Sequence, residues 1–581
     1  MSMLNIGTSA LISTQGALST TSHNISNVNT DGYNRQRVEQ STRLPNFEGG
    51  YYIGSGSTIS NVERIFDDFL SDQVRTFTSQ EQQFNTFSTY ARQVDDLLGS
   101  PELSLNSGLQ EFFDSVQEVA NDPTSIAARQ VMLTGAGILT NRFNTLDSQL
   151  DAFNDQVNGS LDATVKEVNL LSVGIASLNQ AIIEASGGAG IPPNDLMDQR
   201  DQLINELSEL VSVATKEQSN GAVNVFIGTG QSLVVGQSVI DLKIVTDPLD
   251  PGRNEIGYGP SGINISAQLT GGSIGGLLSV RQTVIEPARA EIDALAAGMV
   301  EHINAQHTTG LTLDGNAGGN FFEPAIPIPP ATTLAPDAGN IRLGITDPRD
   351  IAVAYPVEVT TNITNTGTGQ IEVAAIDSSD PLFDATSVLT GSLSFVYDAV
   401  NKAYSISYDG NTAGAITLPY DSATDSSNSF DLAALLPPLV NALGDSPTIT
   451  ITLSGVPSNV DSFTIDNSTS GGFSSVGDNR NGLALAELQV GKVLNGGKES
   501  FGDAYGILVA NVATRTHQAD VSQQTQKGLL EQTSLRFESV SGVNLDEEAA
   551  NLIKFQQAYQ AASQIITVSN TVFDSLLGAI R

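Results

Sequence analysis

Cysteine and tryptophan are both absent from this 581-residue chain. Without cysteine there is no disulfide framework, no thiolate metal site and no Cys nucleophile. Positive charge is scarce too: Lys and Arg total 26 against 64 Asp and Glu, a net charge of -38. Such a surface repels a phosphate backbone and an anionic membrane alike, so neither nucleic acid nor membrane is expected as a partner. Nowhere do 18 apolar residues run together, and the opening MSMLNIGTSALISTQGALS has no basic n-region and no continuous apolar core. The reading is a soluble chain without a cleavable signal.

Catalytic patterns are equally sparse. No GxSxG, HExxH or Walker-type loop occurs. The histidines, His23, His302, His307 and His517, are scattered, and the spacing of His302 and His307 does not place both on one helical face. They are expected at ordinary polar positions. TGGSIGG, Thr270 to Gly276, lacks the strand and acidic residue of a nucleotide site and reads as a helix-start turn. LDGNAGGNFFE, from Leu313, starts like a calcium loop at Asp314 and Asn316 but has Ala325 where the bidentate Glu belongs, so it reads as an ordinary loop. The expectation is no enzyme, with no catalytic, cofactor-binding or metal residues.

What is present is a pair of terminal seams. From Gly542 to Arg581, Leu545, Leu552, Tyr559, Ile566, Phe573 and Ile580 recur every seventh residue, with Phe555, Ala562 and Leu576 between them. That is a coiled-coil pattern. Asn544 stands at the N-cap position, followed by Asp546, Glu547 and Glu548 where the helix dipole favours carboxylates. At the other end Leu4, Leu11, Leu18 and Ile25 keep the same spacing over a background of Ser, Thr, Asn and Gln. Periodicity alone fits two core helices of one domain or an assembly interface equally well. The weakly charged polar face favours close packing in an array.

Between the termini the period changes twice. The first helix should end between Asn27 and Gly32, and an extended, Gly-rich passage follows through NFEGGYYIGSGSTISNV. A seam from Val62 to Leu98 predicts a long helix stopped by Pro101, then a shorter one over Leu109–Ala120, another long one through Leu139 to Ile182, and a return over Leu196–Val213. Alternating segments then predict short strands, helical spacing resumes from Ile274 to Gln306, and a Gly-, Pro-, Thr- and Ser-rich stretch to Asn467 predicts an inserted β domain. After Gly477 helices are expected to lead without interruption into the terminal seam. The fold class is therefore multidomain, mainly α with inserted β. It comprises a terminal coiled-coil domain (1–60 and 536–581), an elongated antiparallel helical bundle (61–310 and 475–535) with a β element at 221–270, and a β-rich insert (311–474). The nesting puts the termini innermost and the insert outermost.

LSTTSHNISNVNTDGYNRQRV, from Leu18, resembles the N-terminal motif of the bacterial flagellar rod, hook and hook-associated axial proteins, and SGVNLDEEAANLIKFQQAYQAASQ resembles their C-terminal one. The matching motif positions are Asn24, Ile25, Asn27 and Gly32 at one end and Asn544, Leu545 and Gln556 at the other. IFDDFLSDQVR, LMDQRDQLINELSELV, GSIGGLLSVRQ through INAQH, and GDNRNGLALAEL resemble, in order, the hook–filament junction members of that family. His23 replaces the usual second Asn, a change expected to be neutral, and the insert from Leu311 to Ser470 matches no familiar pattern.

The resemblance implies a structural subunit of the flagellum at the hook–filament junction, secreted unfolded through the flagellar type III export apparatus. Its implied partners are copies of itself in a ring, the hook protein, the second junction protein (hook-associated protein 3), and an export chaperone on the C-terminal helix. A hook or distal rod subunit is the alternative, which DQRDQL and GDNRNG disfavour.

Overall fold

The computed structural model describes residues 2–48, 50–189, 193–324, 335–377, 385, 388–389, 391–408, 411–432, 448–467 and 475–580. Helix α1 (Ser2–Ser26) is followed by a hairpin whose stem is β1 (Gln36–Thr42) and β4 (Ser57–Arg64) and whose tip is β2 (Asn46–Glu48) and β3 (Tyr51–Ile53). Helices α2 (Asp68–Gly99), α3 (Leu105–Asn121), α4 (Ile126–Ala189) and α5 (Asn194–Leu210) come next. Then come one sheet of β5 (Val213–Glu217), β6 (Val223–Ile227), β7 (Gln231–Val235) and β8 (Ser238–Val239), and another of β9 (Leu242–Thr246), β10 (Asn254–Tyr258) and β11 (Ile263–Asn264). Helix α6 (Gly272–Val280) passes through a π-helical turn, Arg281–Ile285, into α7 (Glu286–Thr308). β12 (Phe322–Pro324) and β13 (Ile341–Leu343) form a ribbon. The outer strands are β14 (Val357–Thr361), β15 (Gln370–Asp377), β16 (Leu393–Asp398), β17 (Ala403–Tyr408), β18 (Asn411–Pro419), β19 (Ser427–Asp431), β20 (Thr448–Ser454) and β21 (Ser462–Asn467). Helices α8 (Arg480–Glu487), α9 (Phe501–Ser541) and α10 (Leu545–Ile580) close the chain.

Two sequence expectations give way here. The helix expected from Val62 starts at Asp68, because Val62 is paired with Val38 in the hairpin stem and Asp67 accepts the Leu70 N–H at 3.0 Å as its cap. The C-terminal helices are also interrupted, between Glu487 and Phe501 and again at 542–544. In the first gap Asn495, Gly496 and Gly497 all have positive φ, which a helix does not accommodate. The second gap ends at Asn544, whose carboxamide accepts the Asp546 N–H at 3.0 Å, the cap the sequence called for.

The chain forms two compact units. In the first, Met1–Gln93, Phe153–Ile285 and Thr514–Arg581, asparagines on α4 bond backbone groups of its sheets as a neighbouring strand would. Asn169 donates to Leu242 O at 2.8 Å and accepts its N–H at 2.9 Å; Asn179 does the same with Val223 at 2.8 and 3.0 Å. Asn158 joins Gly252 O and the Asn254 N–H. By length and composition α4 is apolar enough to cross a membrane, with a window of mean hydropathy 1.3, yet these amides are committed to protein. At the turn into α6, Gly271 and Gly272 have φ of 71° and 58°, so TGGSIGG is the helix-start turn it appeared to be.

The second unit comprises Val94–Ala152 and Glu286–Ala513. Its helical part is centred on Phe112, Phe113, Phe321, Phe322 and Phe501, all buried. Its β part sets the five-stranded order β14-β21-β16-β17-β18 and the three-stranded order β15-β20-β19 around one core that includes Phe395, Tyr404, Ile451 and Phe463. His307, expected at an ordinary polar position, is completely buried. Its Nε2 accepts the Ala352 N–H at 2.9 Å while Nδ1 lies 2.6 Å from Gly319 O. Asp314, in the loop that opened like a calcium site, is paired with Arg349.

Candidate functional site

The terminal helices meet in the first unit. α1 and α10 pack antiparallel: Gly7 approaches Ile566 so closely that a Cβ would lie 2.9 Å from Cγ1, while Arg35, beyond the other end of α1, bonds Glu547 at 2.6 Å. Small residues allow this approach. The buried positions of α1 are Gly7, Ser9, Ser13, Ala17, Thr21 and Asn24. Those on the hairpin side fit the stem: Ser57 Oγ reaches Ser13 Oγ at 3.3 Å, and Gly16 leaves room for the Ile59 side chain.

The heptad residues are treated differently. Leu4 is exposed, and Leu11, Leu18 and Ile25 are half-buried. On α10 Ala562 is buried, Leu552, Phe555 and Ile566 are half-buried, and Leu545, Tyr559 and Phe573 are exposed, Phe573 by 61%. The side chains of Leu576 and Ile580 lie outside the described residues. A single chain therefore buries the small residues of α1 and leaves the larger stripe residues exposed at Leu4, Leu545, Tyr559 and Phe573 and only partly covered elsewhere.

The motif residues form the joint beneath that pair. Asn24 donates to Gln36 O at 2.8 Å and accepts both the Gln36 N–H at 3.0 Å and the Tyr33 hydroxyl at 2.7 Å, which fixes α1 to β1. Asn27 returns to His23 O at 3.0 Å and closes the helix end. Gly32 has φ of 75° with Gln202 packed against it. Arg35 N–H donates to Ser541 O at 2.8 Å, so the same turn also holds the break between α9 and α10. Gln556 is exposed.

DQRDQL, on α5, supplies the other half of the joint. Asp198 accepts from Asn34 through N–H at 3.1 Å and Nδ2 at 2.7 Å, and Arg64 bridges Asp198 at 3.0 Å and Asp201 at 2.7 Å. Burial pushes the Asp198 carboxyl up, against the pull of Asn34 and Arg64. Burial likewise lowers Arg75 and Arg200, although both lie within 4 Å of Asp201. A buried ion cluster of this kind specifies one geometry rather than adding much net stability. Sequence reading found Asn24, Asn27 and Gly32 as motif letters but missed Arg64, Asp198 and Asp201 as their partners, since 134 residues separate Arg64 from Asp198.

Among the described residues no group of three or more His, Cys, Asp or Glu could hold a metal ion.

Comparison with known proteins agrees along the whole chain. Residues 91–322 match the family model described as flagellar hook-associated protein FlgK helical domain. Residues 536–579 match the flagellar basal body rod FlgEFG protein C-terminal model, and 4–34 the flagella basal body rod protein model. Flagellar hook-associated protein 1 of Salmonella typhimurium is 33% identical over 582 residues, covering 99% of each chain. The Bacillus subtilis protein of that name is 25% identical, covering 98% of this chain and 96% of its own. The structure of the flagellar hook junction protein FlgK from Burkholderia pseudomallei superposes with a TM-score of 0.70 at 25% identity, covering 81% of this chain and all of that one. With both terminal motifs and the helical body matched in order, the chain belongs to the flagellar hook-associated protein 1 family of structural flagellar proteins.

Proposed function

We propose that the chain is a structural, non-enzymatic subunit of the bacterial flagellum that forms the junction between hook and filament and allows filament assembly. The observation that carries this reading is the end-to-end relationship to hook-associated protein 1 at 33% identity. The uncovered stripe of Leu4, Leu545, Tyr559 and Phe573 supports it physically, since an apolar helix face needs a partner. The stripe is the seam of an inner coiled-coil layer, in which Leu11, Leu18, Ile25, Leu552, Phe555, Ile566, Leu576 and Ile580 take part. The helical bundle and the β-rich insert form successive outer layers of the nested domains. A homo-oligomeric ring built this way continues the hook protein on one side and receives hook-associated protein 3 on the other. Before export through the flagellar type III apparatus to the cell exterior, a chaperone covers the C-terminal helix.

Electron microscopy of cells lacking the gene, with flagellin assayed in the medium, tests the reading. Finished hooks without filaments, together with free flagellin, are expected. Missing hooks would move the subunit to the hook or distal rod, and normal filaments would refute the junction role. In the seam itself, Leu552→Asp is expected to abolish incorporation while leaving the far-ultraviolet spectrum of the monomer intact, because a charge buried by assembly costs several kcal/mol, roughly. Filaments of normal number from that mutant would exclude Leu552 from the seam.

A further inference from the structure

Asparagine followed by glycine is prone to lose its side-chain amide, because a residue without a Cβ lets its own backbone nitrogen reach the preceding carboxamide. Four such pairs occur in the chain: Asn158–Gly159, Asn220–Gly221, Asn481–Gly482 and Asn495–Gly496. Ring closure requires a carboxamide free to swing and a glycine N–H not committed elsewhere. The fold grants these freedoms unequally.

Asn158 is buried, donates to Gly252 O at 2.8 Å and accepts the Asn254 N–H at 3.0 Å. Gly159 lies inside α4, where N–H groups belong to the helical ladder. Asn481 is completely buried, bonded to Ala352 O and to Gln306 Nε2 at 2.7 Å each, and Gly482 N–H donates to Val353 O at 3.0 Å. Asn220 is exposed, but its Oδ1 accepts the Ala222 N–H at 3.1 Å and Gly221 N–H donates to Gln218 O at 3.0 Å.

Asn495 is exposed in the connector between α8 and α9. Beneath it Leu494 N–H donates to Glu499 O at 3.0 Å, and Gly497 and Lys498 N–H both donate to Leu494 O. Gly496 N–H has no hydrogen-bond partner among the described residues, and no atom lies within 4 Å of where its Cβ would be. The Asn495 carboxamide is held through Nδ2, which donates to Glu499 Oε2 at 2.5 Å.

We propose that Asn495 is a site of spontaneous deamidation, a modification that needs only water and base. The Gly496 backbone nitrogen loses its proton to base and attacks Asn495 Cγ; the bond from Cγ to the side-chain nitrogen breaks, that nitrogen takes up a proton and leaves as ammonia, and a succinimide closes. Water then opens either imide C–N bond to give aspartate or isoaspartate, so one water is consumed for each ammonia released. The product sets a carboxylate against Glu499 where an amide donor stood, and like charges at that distance repel. Isoaspartate also lengthens the backbone of the turn. Leu494, at the base of the turn, packs on α7 so closely that a Cβ on Gly298 would lie 2.4 Å from its Cδ2, and a loosened turn is felt there.

Peptide mapping by mass spectrometry, with isoaspartyl methyltransferase labelling, tests the site in the purified full-length chain aged at mildly alkaline pH. The Asn495 peptide should convert about tenfold faster or more than those of Asn158, Asn220 and Asn481, which react only after local opening. In urea all four should convert at comparable rates. Equal rates in the folded chain would overturn the proposal, and so would an Asn495 that stays ahead in urea, since its lead would then owe nothing to the fold. Asn495→Asp, which installs one product directly, should raise tryptic cleavage after the exposed Lys498 several-fold. Unchanged cleavage would refute the loosening of the turn.

Discussion

His307 shows how much one buried side chain can hold. One ring nitrogen accepts the Ala352 N–H and the other meets Gly319 O, so the loop after α7 and the strap at 351–354 are tied through a single imidazole. Burial lowers its pKa from 6.5 to about 4, with Arg129 adding to the shift and the Gly319 carbonyl opposing it. The folded chain thus keeps His307 neutral while the unfolded chain protonates it below about pH 6.5. Stability should be unaffected by this group above that pH and fall by up to about 1.4 kcal/mol per unit as pH drops toward 4. Urea midpoints across pH 4–7 for wild type and His307→Gln isolate the term: the variant should be less stable at pH 7 and show a shallower acid loss. Equal slopes would mean that His307 does not stay neutral. His23 Nε2 lies 3.3 Å from Asp195 Oδ1 at a part-exposed position. His23→Asn should change stability by under about 1 kcal/mol.

At the level of elements, polar residues do work that hydrophobic patterning does not reveal. The asparagines on α4 each satisfy backbone groups of a strand, so Asn169→Ala strands the Leu242 N–H and C=O together. The expected cost is about 1–3 kcal/mol, more than for the exposed Asn141→Ala on the same helix. Similar midpoints for the two variants would show that water replaces the amide. Gly272 is constrained by backbone instead: φ is 58° and a Cβ would lie 2.2 Å from Leu210 C. Gly272→Ala should therefore destabilise by more than the roughly 1 kcal/mol of a simple glycine-to-alanine strain, and chemical denaturation of the purified chain measures it. The terminal helices follow the reverse logic. Their small residues are buried within the chain, while several of their large ones, among them Leu4, Leu545 and Phe573, are exposed.

For the molecule as a whole, charge and coverage set the behaviour. A net charge of -38 makes self-repulsion a general cost, so added salt should raise the unfolding midpoint of the monomer through screening. In the free monomer, α1 and α10 should exchange amide hydrogens faster than the α4 segment at 157–182, because much of their apolar surface lacks cover. Incorporation into the axis should then protect them. Strong protection of both terminal helices before assembly would contradict the seam.

Much of the order of helices and β segments was legible in residue periodicity, as were the cap at Asn544 and the turn at Gly271 and Gly272, because each depends on neighbours within a turn or two of chain. Motif letters in the terminal segments carried the family. Tertiary structure decided where local signals competed: pairing with Val38 drew Val62 out of a helical seam, and burial made His307, expected at an ordinary polar position, a bridge between two backbone segments. It alone brought Arg64 onto Asp198 and Asn24 onto Gln36, whereas the meeting of the two terminal helices was already expected from their matching seams. Heptad spacing specifies that a helix has a sticky face. Which part of that face its own chain covers depends on backbone approach, and here Gly7, Ser13 and Ala17 let α1 settle against its neighbours while Leu11 and Leu18 are only half-buried and Leu4 is exposed.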